Sequence, residues 1–480
     1  MNRRAFWGFA LGPAGVGLLS AVSLPVMTWI FPVDIIGMIS MLQVAIGLSI
    51  VLCCLGLDQA YGREYHESVN RAELLLNTVL PGLLLLVVFL AVISLFDPQL
   101  LSLLLYGTSS IALGAITAIC LVTAFLSRFL SVLLRMQERG FAYSFSQMMN
   151  RLVLLLIVIG YAAFTSTRTF MMLLVAQAVA LLLTLLVFAW STRKEWWLAL
   201  HARLRFVQLR RLLAFGFPLT FAGVASWGVA TLDRVFLRSL SSYEELAVFS
   251  VAASIAAGVN ILAGILNTIW APMVYKWVAE NADMERVDTI AQQTSVIVFL
   301  VVCLVGGFSW VLGYMLPASY AKVPFLIVGC MIAPLFYTLS EVTGIGIAVS
   351  RRTFFSLAAS LVAVLLDIGL CLVLVPRFGA VGATVATAFS FWLFFLLRTE
   401  FGVMTWRKLR RGKVHLYSVL CLLLALVYAA WGQRIPGLAI TGWWLVFCAI
   451  LCIERQILIG IWRDCQKFIQ ARRSSECESR

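Results

Sequence analysis

Two neighbouring apolar segments carry polar and cationic side chains that recur at three- and four-residue spacing. They are Ser127, Arg128, Ser131, Arg135 and Glu138 on the first segment, then Tyr143, Gln147, Asn150 and Arg151 on the second. This spacing places each set on one face of a helix. A polar face on a membrane helix turns towards protein or a water-filled cavity. The pattern therefore predicts a cavity lined by cations.

Among these cations, those deepest in the predicted membrane segments are the strongest candidates for lining the cavity. Arg151 lies about nine residues into its segment, roughly 13 Å at 1.5 Å per residue, and Arg128 lies at a comparable depth. The alternative is that both arginines snorkel to nearby headgroups. Arg63 is a further candidate, although it also serves to set the membrane orientation.

A second set of side chains is acidic or hydroxylated. Its members fall at similar depth on three predicted helices and are Asp233, Asp367, Thr384 and Thr387. Carboxylate and hydroxyl oxygens suit a hard monovalent cation, or a proton on one carboxylate. The alternative is that Asp233 pairs with Arg234 or Arg238 while Asp367 hydrogen-bonds a neighbouring helix.

Two further carboxylates lie inside or at the edge of apolar segments. Glu341 is either a protonation site or the partner of an arginine in the same half of the membrane, and the second role is favoured. Asp58 is either one member of a gate pair with Arg63 or a boundary charge. The three histidines, His66, His201 and His415, fall in or beside loops, so no histidine metal site is expected.

These residues must be held by membrane helices. Of the 480 residues, 62% are hydrophobic and only 12% are charged, and the mean hydropathy is +0.99. A soluble protein of this length usually carries about twice as many charges. The net charge of +14 follows from lysines and arginines gathered on one membrane face, not from nucleic-acid binding. The composition predicts a polytopic α-helical membrane protein.

Apolar runs predict about fourteen spans. They cover 9–31, 35–57, 74–96, 109–134, 142–164, 169–190, 212–237, 246–271, 290–313, 323–349, 354–375, 379–398, 415–432 and 440–462. The predicted divisions are an N-terminal six-helix lobe (1–190), a basic linker (191–211), a second six-helix lobe (212–400), a basic loop (401–414), two extra helices (415–462) and a tail (463–480). A shift of about 210 residues aligns Asp34 with Glu244 and Ser40 with Ser250, which indicates a weak two-fold repeat.

Arginine and lysine alternate between the loops. They crowd the loops on one side and the linker, while the opposite loops hold few. By the positive-inside rule, this bias predicts that both termini are cytoplasmic.

Five short motifs then resemble a known group. They are Ile36-Gly37, Gly56-Leu57-Asp58-Gln59-Ala60, Phe215-Gly216-Phe217-Pro218, Asp233-Arg234 and Phe378-Gly379-Ala380-Val381-Gly382-Ala383. In this order they resemble the polysaccharide transport branch (Wzx-type flippases) of the multidrug/oligosaccharidyl-lipid/polysaccharide exporter superfamily. Ala247 departs from the pattern, since the family often has glycine there.

The resemblance implies a V-shaped pair of six-helix lobes, related by pseudo-twofold symmetry, around a central cavity. It implies an undecaprenyl-diphosphate-linked oligosaccharide as substrate, whose diphosphate the cations would receive. Transport would proceed by alternating access in the bacterial inner membrane, for O-antigen, capsule or exopolysaccharide. Lipid II flippases, a related branch, are similar in placing a cation site between spans seven, eleven and twelve.

The remaining expectations concern partners and alternatives. No cofactor is expected, although Na⁺ or H⁺ could be a coupling ion, and a polymerase and a chain-length regulator are possible partners. The main alternative is a multidrug and toxin extrusion exporter, which usually has twelve spans and an acidic or aromatic cavity. A membrane glycan polymerase or ligase is less favoured, because the short outer loops lack clustered catalytic groups.

Overall fold

The computed structural model describes residues 3–137, 139–165, 167–260, 270, 273–278, 280, 285–350, 352 and 354–460. For residues 3–14, 222 and 226 it describes the backbone alone. Glu138, the tail 463–480, and the ends of predicted spans eight and fourteen lie outside the described residues.

Eighteen α-helices are described, together with short 3₁₀ turns at Ala257–Val259 and Ala318–Tyr320. The first eleven are α1 (Arg3–Ile30), α2 (Val33–Cys54), α3 (Leu57–Glu64), α4 (Arg71–Phe96), α5 (Leu100–Tyr106), α6 (Ile111–Met136), α7 (Gly140–Phe164), α8 (Phe170–Ser191), α9 (Arg193–Leu200), α10 (Phe206–Leu240) and α11 (Tyr243–Ala256). The others are α12 (Glu285–Phe308), α13 (Val311–Met315), α14 (Val323–Thr343), α15 (Ile345–Val349), α16 (Phe354–Thr405), α17 (Gly412–Trp431) and α18 (Pro436–Ile453). No strand occurs in the described ranges.

The prediction of an all-helical polytopic membrane protein is confirmed. Among the described residues, 10 helices are long and apolar enough to cross a membrane. The number rises to 11 if α10, which bends by 44° between Ala225 and Trp227, is one span. The predicted count of fourteen is not confirmed. Part of the difference lies in α16, whose 52 residues cover predicted spans eleven and twelve.

The break inside α16 explains one of the sequence motifs. Gly379 has φ 54° and ψ −128°, a conformation that needs glycine, and it divides the helix into 354–378 and 380–405. A Cβ on Gly382 would lie only 2.4 Å from the carbonyl oxygen of Leu374. The two glycines of the 378–383 motif therefore let the chain turn sharply and pack closely on itself.

The chain forms two compact units, Met1–Ser250 and Val251–Arg480. In the first unit, α1 packs against α7, while α2 packs against α6 and α10. This places α10, the predicted first span of the second lobe, with the first unit. Its helix begins at Phe206, inside the predicted basic linker, whose earlier part forms α9.

In the second unit, α14 is the central helix. It packs against α12, α16 and α17, and most of its residues are buried. The last of the described helices, α18, packs against α12. This arrangement buries several polar side chains of α14, including Ser340 and Thr343.

Two other sequence motifs meet in the first unit. Gly56 has φ +65°, and a Cβ there would lie 2.2 Å from the carbonyl oxygen of Gly216. In the same unit, a Cβ on Gly37 would lie 2.1 Å from the carbonyl oxygen of Tyr243. These glycines are thus sites of direct backbone contact, and the short motifs mark packing positions.

We predict that Gly56→Ala lowers the free energy of unfolding by about 2 kcal/mol or more, because a left-handed φ and a backbone clash coincide. Thermal unfolding of the purified protein in detergent measures this loss. Gly62→Ala is the matched control, since its nearest atom is Met136 Sδ at 3.7 Å. The control should be neutral or slightly stabilising, and an equal loss in both variants would contradict the prediction.

Candidate functional site

The two predicted polar stripes face each other between α6 and α7. The Nε2 atom of Gln147 donates a hydrogen bond to the Ser131 hydroxyl at 3.3 Å. On the next helix, Gln177 donates to the Asn150 side-chain oxygen at 3.5 Å. The stripes therefore form one polar surface that continues from α6 across α7 to α8.

Arg128 is held by a carboxylate. Its Nε and Nη2 atoms both donate to Oδ2 of Asp58, at 3.0 and 2.7 Å. The Asp58 side chain is 8% exposed and that of Arg128 is 43% exposed. Much of the Arg128 charge is therefore balanced by Asp58, for which the sequence left open a gate pair with Arg63 or a boundary charge.

Arg63 instead stacks on an aromatic ring. Its guanidinium carbon lies 4.6 Å from the centroid of Phe215. Next to it, Glu64 pairs with Arg211 at 3.3 Å. The hypothetical gate pair of Asp58 and Arg63 is therefore replaced by an Asp58–Arg128 pair, which connects α3 to α6.

Arg151 differs from the other cations of the stripes. It is half-buried on α7, and within the described part of the chain it makes no hydrogen bond or ion pair. Arg135 also lacks such a bond there, but its side chain is exposed at the end of α6. Arg151 is therefore a half-buried cation whose donors have no partner among the described residues.

We predict that Arg128→Gln is more destabilising than Asp58→Asn. The first variant leaves a buried carboxylate without its cation, at a cost of about 2 kcal/mol, whereas the second leaves a half-exposed arginine that water can solvate. Thermal unfolding of both variants, with the exposed Arg135→Gln as control, measures the difference. Equal losses in the two variants would show that Asp58 does not depend on Arg128.

The four residues of the second set are all buried. Asp233 on α10 is 3% exposed, and in the second unit Asp367 is 5%, Thr384 1% and Thr387 8% exposed. The Thr384 and Thr387 hydroxyls each donate to a carbonyl one turn earlier, at 2.9 Å. Their oxygens retain lone pairs, so they could still accept a proton donor or coordinate a cation.

Glu341 has the arginine partner that was favoured for it. Nη1 of Arg398 lies 2.5 Å from Oε1 of Glu341 and also donates to the Ser340 hydroxyl at 3.0 Å. The Arg398 guanidinium lies 5.4 Å from the centre of the Phe394 ring. The pair connects α14 with the second half of α16. Sequence reasoning did not name Arg398, which stands at the end of a predicted span where a charge is unremarkable.

The chain is similar to several membrane proteins of known structure. A search of curated sequences finds no significant match. Among solved structures, the chain is similar to the lipid II flippase MurJ in an inward closed conformation, with TM-score 0.65 and 14% identity over 94% of this chain and 98% of that one. It is also similar to an inward-facing multidrug resistance MATE family transporter of the MOP superfamily, with TM-score 0.59 and 13% identity over 81% and 94%. A third structure is a mutant of the Vibrio cholerae MATE transporter VcmN, with TM-score 0.51 and 15% identity over 83% and 95%.

At these identities the structural likeness establishes the fold alone. That fold is shared by proteins described as a lipid II flippase and as a multidrug resistance transporter. A family model described as polysaccharide biosynthesis protein matches residues 9–278, more than half of the chain. The resemblance found in the sequence motifs is thereby confirmed, and the chain belongs to the polysaccharide biosynthesis protein family.

Proposed function

We propose that this protein is a flippase that moves an undecaprenyl-diphosphate-linked oligosaccharide repeat unit across the bacterial inner membrane by alternating access. The product would enter O-antigen, capsule or exopolysaccharide synthesis. The family match supports a role in polysaccharide biosynthesis. The fold supports transport, since it is shared with a protein described as a lipid II flippase.

The observation that carries the proposal is the sheltered charge of Arg151. A cation on a membrane helix is costly when no partner balances it. Such a residue is best explained by a ligand that supplies the missing negative charge during function. A diphosphate does so, because guanidinium donors bind phosphate oxygens in charge-assisted pairs.

The polar surface around Arg151 suits the rest of such a headgroup. Gln147 and Asn150 lie on the same helix face as Arg151 and carry amide groups that can bind sugar hydroxyls. Arg128 and Arg135 flank the surface on α6. An organic cation, the kind of substrate expected of a drug exporter, would be repelled by this set of arginines.

For coupling, we propose that Na⁺ or H⁺ acts at Asp233, Asp367, Thr384 and Thr387. Their burial and their oxygen chemistry support this role. Glu341 is better assigned to its pair with Arg398. No cofactor is needed for the transport step. Both termini would be cytoplasmic, and a polymerase and a chain-length regulator would use the product outside.

Purified protein in proteoliposomes, supplied with a lipid-linked oligosaccharide, tests the proposal. Translocation of the diphosphate-linked glycan would support it, and dependence on an imposed sodium or proton gradient, lost in Asp367→Asn, would support the coupling site. Efflux of an organic cation without glycan translocation would overturn it in favour of a drug exporter.

A further inference from the structure

A cavity of about 580 Å³ opens in the first unit, and its lining shares no residue with the α6–α7 polar surface. Three chain segments line it: the α3–α4 connection, the end of α6 with the following loop, and α9. The bias of arginine and lysine between the loops predicts that all three segments lie on the same membrane face. The structure brings them together, so the cavity lies at one end of the helix bundle.

Two arginines on the cavity wall are held in place. The Arg71 guanidinium carbon lies 4.6 Å from the centroid of the Tyr65 ring, and Nη1 of Arg139 donates to the Ser191 carbonyl oxygen at 2.9 Å. Each guanidinium carries five N–H donors, so both keep donors for a ligand. Among the described lining residues the carboxylate is that of Glu195, and it accepts a hydrogen bond from Gln137 at 2.7 Å. The described lining residues therefore carry a net positive charge.

A buried hydroxyl provides a second, independent indication of a ligand. Tyr61 lines the cavity and is 0% exposed, and its hydroxyl has no hydrogen-bond partner among the described residues. A buried polar group without a partner is costly, so such groups nearly always have one. An anion held by Arg71 and Arg139 would supply an acceptor for the Tyr61 hydroxyl.

Neighbouring apolar groups indicate that the anion belongs to a lipid. On α9, Trp197 is 58% exposed and Leu198, which lines the cavity, is 62% exposed. Tryptophan beside basic residues is typical of the membrane interface. The cavity floor is apolar, with Leu75 and Leu133 buried beneath it. A headgroup phosphate at the arginines would leave its glycerol and acyl chains beside these side chains.

We propose that this cavity binds the phosphate-bearing headgroup of an anionic membrane lipid. Arg71 and Arg139 contact the phosphate, and Tyr61 donates a hydrogen bond to it. The bound lipid joins α9 to the ends of α4 and α6. This site is separate from the proposed substrate surface, so its failure and the failure of the flippase proposal are distinguishable.

The test adds phosphatidylglycerol or phosphatidylcholine, with identical acyl chains, to the full-length protein in detergent. No lipid-linked oligosaccharide is present. Native mass spectrometry measures the lipid retained. Each basic residue near an anionic lipid adds substantially to binding, so Arg71→Gln with Arg139→Gln should lower phosphatidylglycerol retention by about tenfold or more. Tyr61→Phe should lower it by about threefold. Retention of phosphatidylcholine should not change.

The matched control is the double variant Arg193→Gln with Lys194→Gln, which removes two charges of α9 that do not line the cavity. It should keep phosphatidylglycerol retention within about twofold of wild type. Equal loss in the control and test variants would overturn the site in favour of general surface charge. In wild-type protein, a photoreactive phosphatidylglycerol should label the segments that line the cavity, and labelling elsewhere alone would also overturn it. Displacement of the lipid by glycerol phosphate or inorganic phosphate at equal concentration would assign the site to a soluble phosphate and reject the lipid.

Discussion

Replacing Arg398 by alanine should lower the free energy of unfolding by about 3 kcal/mol, the cost of leaving a buried charge without its partner. The Arg398 and Glu341 side chains are only 12% and 28% exposed. Once Arg398 is removed, the Glu341 carboxylate has to stay charged in a low-dielectric region or take up a proton, and both options cost free energy. Thermal unfolding of the purified protein should show the loss as a much lower midpoint.

The effect should depend on the pair and not on Arg398 alone. In a double variant, Glu341→Leu with Arg398→Met, two apolar side chains pack where the charges were, and most of the stability should return. Arg434→Ala, at an exposed arginine, should have almost no effect. A double variant as unstable as the single one would show that Arg398 stabilises the protein through Ser340 and Phe394 instead.

The positions of the helices could be predicted because hydropathy reports the length of chain that lies in lipid. Predicted span 74–96 corresponds to α4 at Arg71–Phe96, and 169–190 corresponds to α8 at Phe170–Ser191. Hydropathy does not register a helix that continues into water. For this reason the predicted span starts at 212, six residues after α10 begins at Phe206, and α9 lies within the predicted linker.

The partners of the charged residues could be predicted only by class. The sequence predicts that Glu341 pairs with an arginine in the same half of the membrane. To identify that arginine as Arg398, one must know how α14 and α16 are rotated about their axes. Arg128 and Asp58 are 70 residues apart in the chain, and hydrophobic spacing defines a helix face without naming the helix it contacts. The polar stripes were informative because spacing alone predicts that their members share one helix face. The hydrogen bond between Gln147 and Ser131 supports that prediction.

Glycine motifs gave a different kind of information. Gly56 and Gly216 belong to separate motifs of the resemblance, and in the structure their backbones are in direct contact. These two motifs thus mark a site of close backbone packing in the first unit. The family pattern does not identify the substrate, and Arg151, the residue that we propose contacts it, lies outside the short motifs.

Arg151→Ala should reduce translocation of a diphosphate-linked glycan by about 100-fold, since a sheltered guanidinium–phosphate pair contributes several kcal/mol to binding. Arg151→Lys keeps the charge but not the planar fork of donors, so it should retain activity within about tenfold of wild type. Initial rates in proteoliposomes measure both. Arg193→Ala, at a cation that stacks on Trp190 outside the polar surface, should transport normally. Equal loss in the alanine and lysine variants would assign Arg151 a role in geometry instead of charge.

Stability separates a ligand-binding role for Arg151 from a structural one. A half-buried cation without a partner among the described residues destabilises the folded protein. Arg151→Ala should therefore leave thermal stability unchanged or raise it by about 1 kcal/mol while transport is lost, as expected where function and stability compete. If Arg151 instead supported packing between α7 and its neighbours, the same variant would lose stability and transport together. A rise in stability with a loss of transport would mean that Arg151 is retained for the anion it binds.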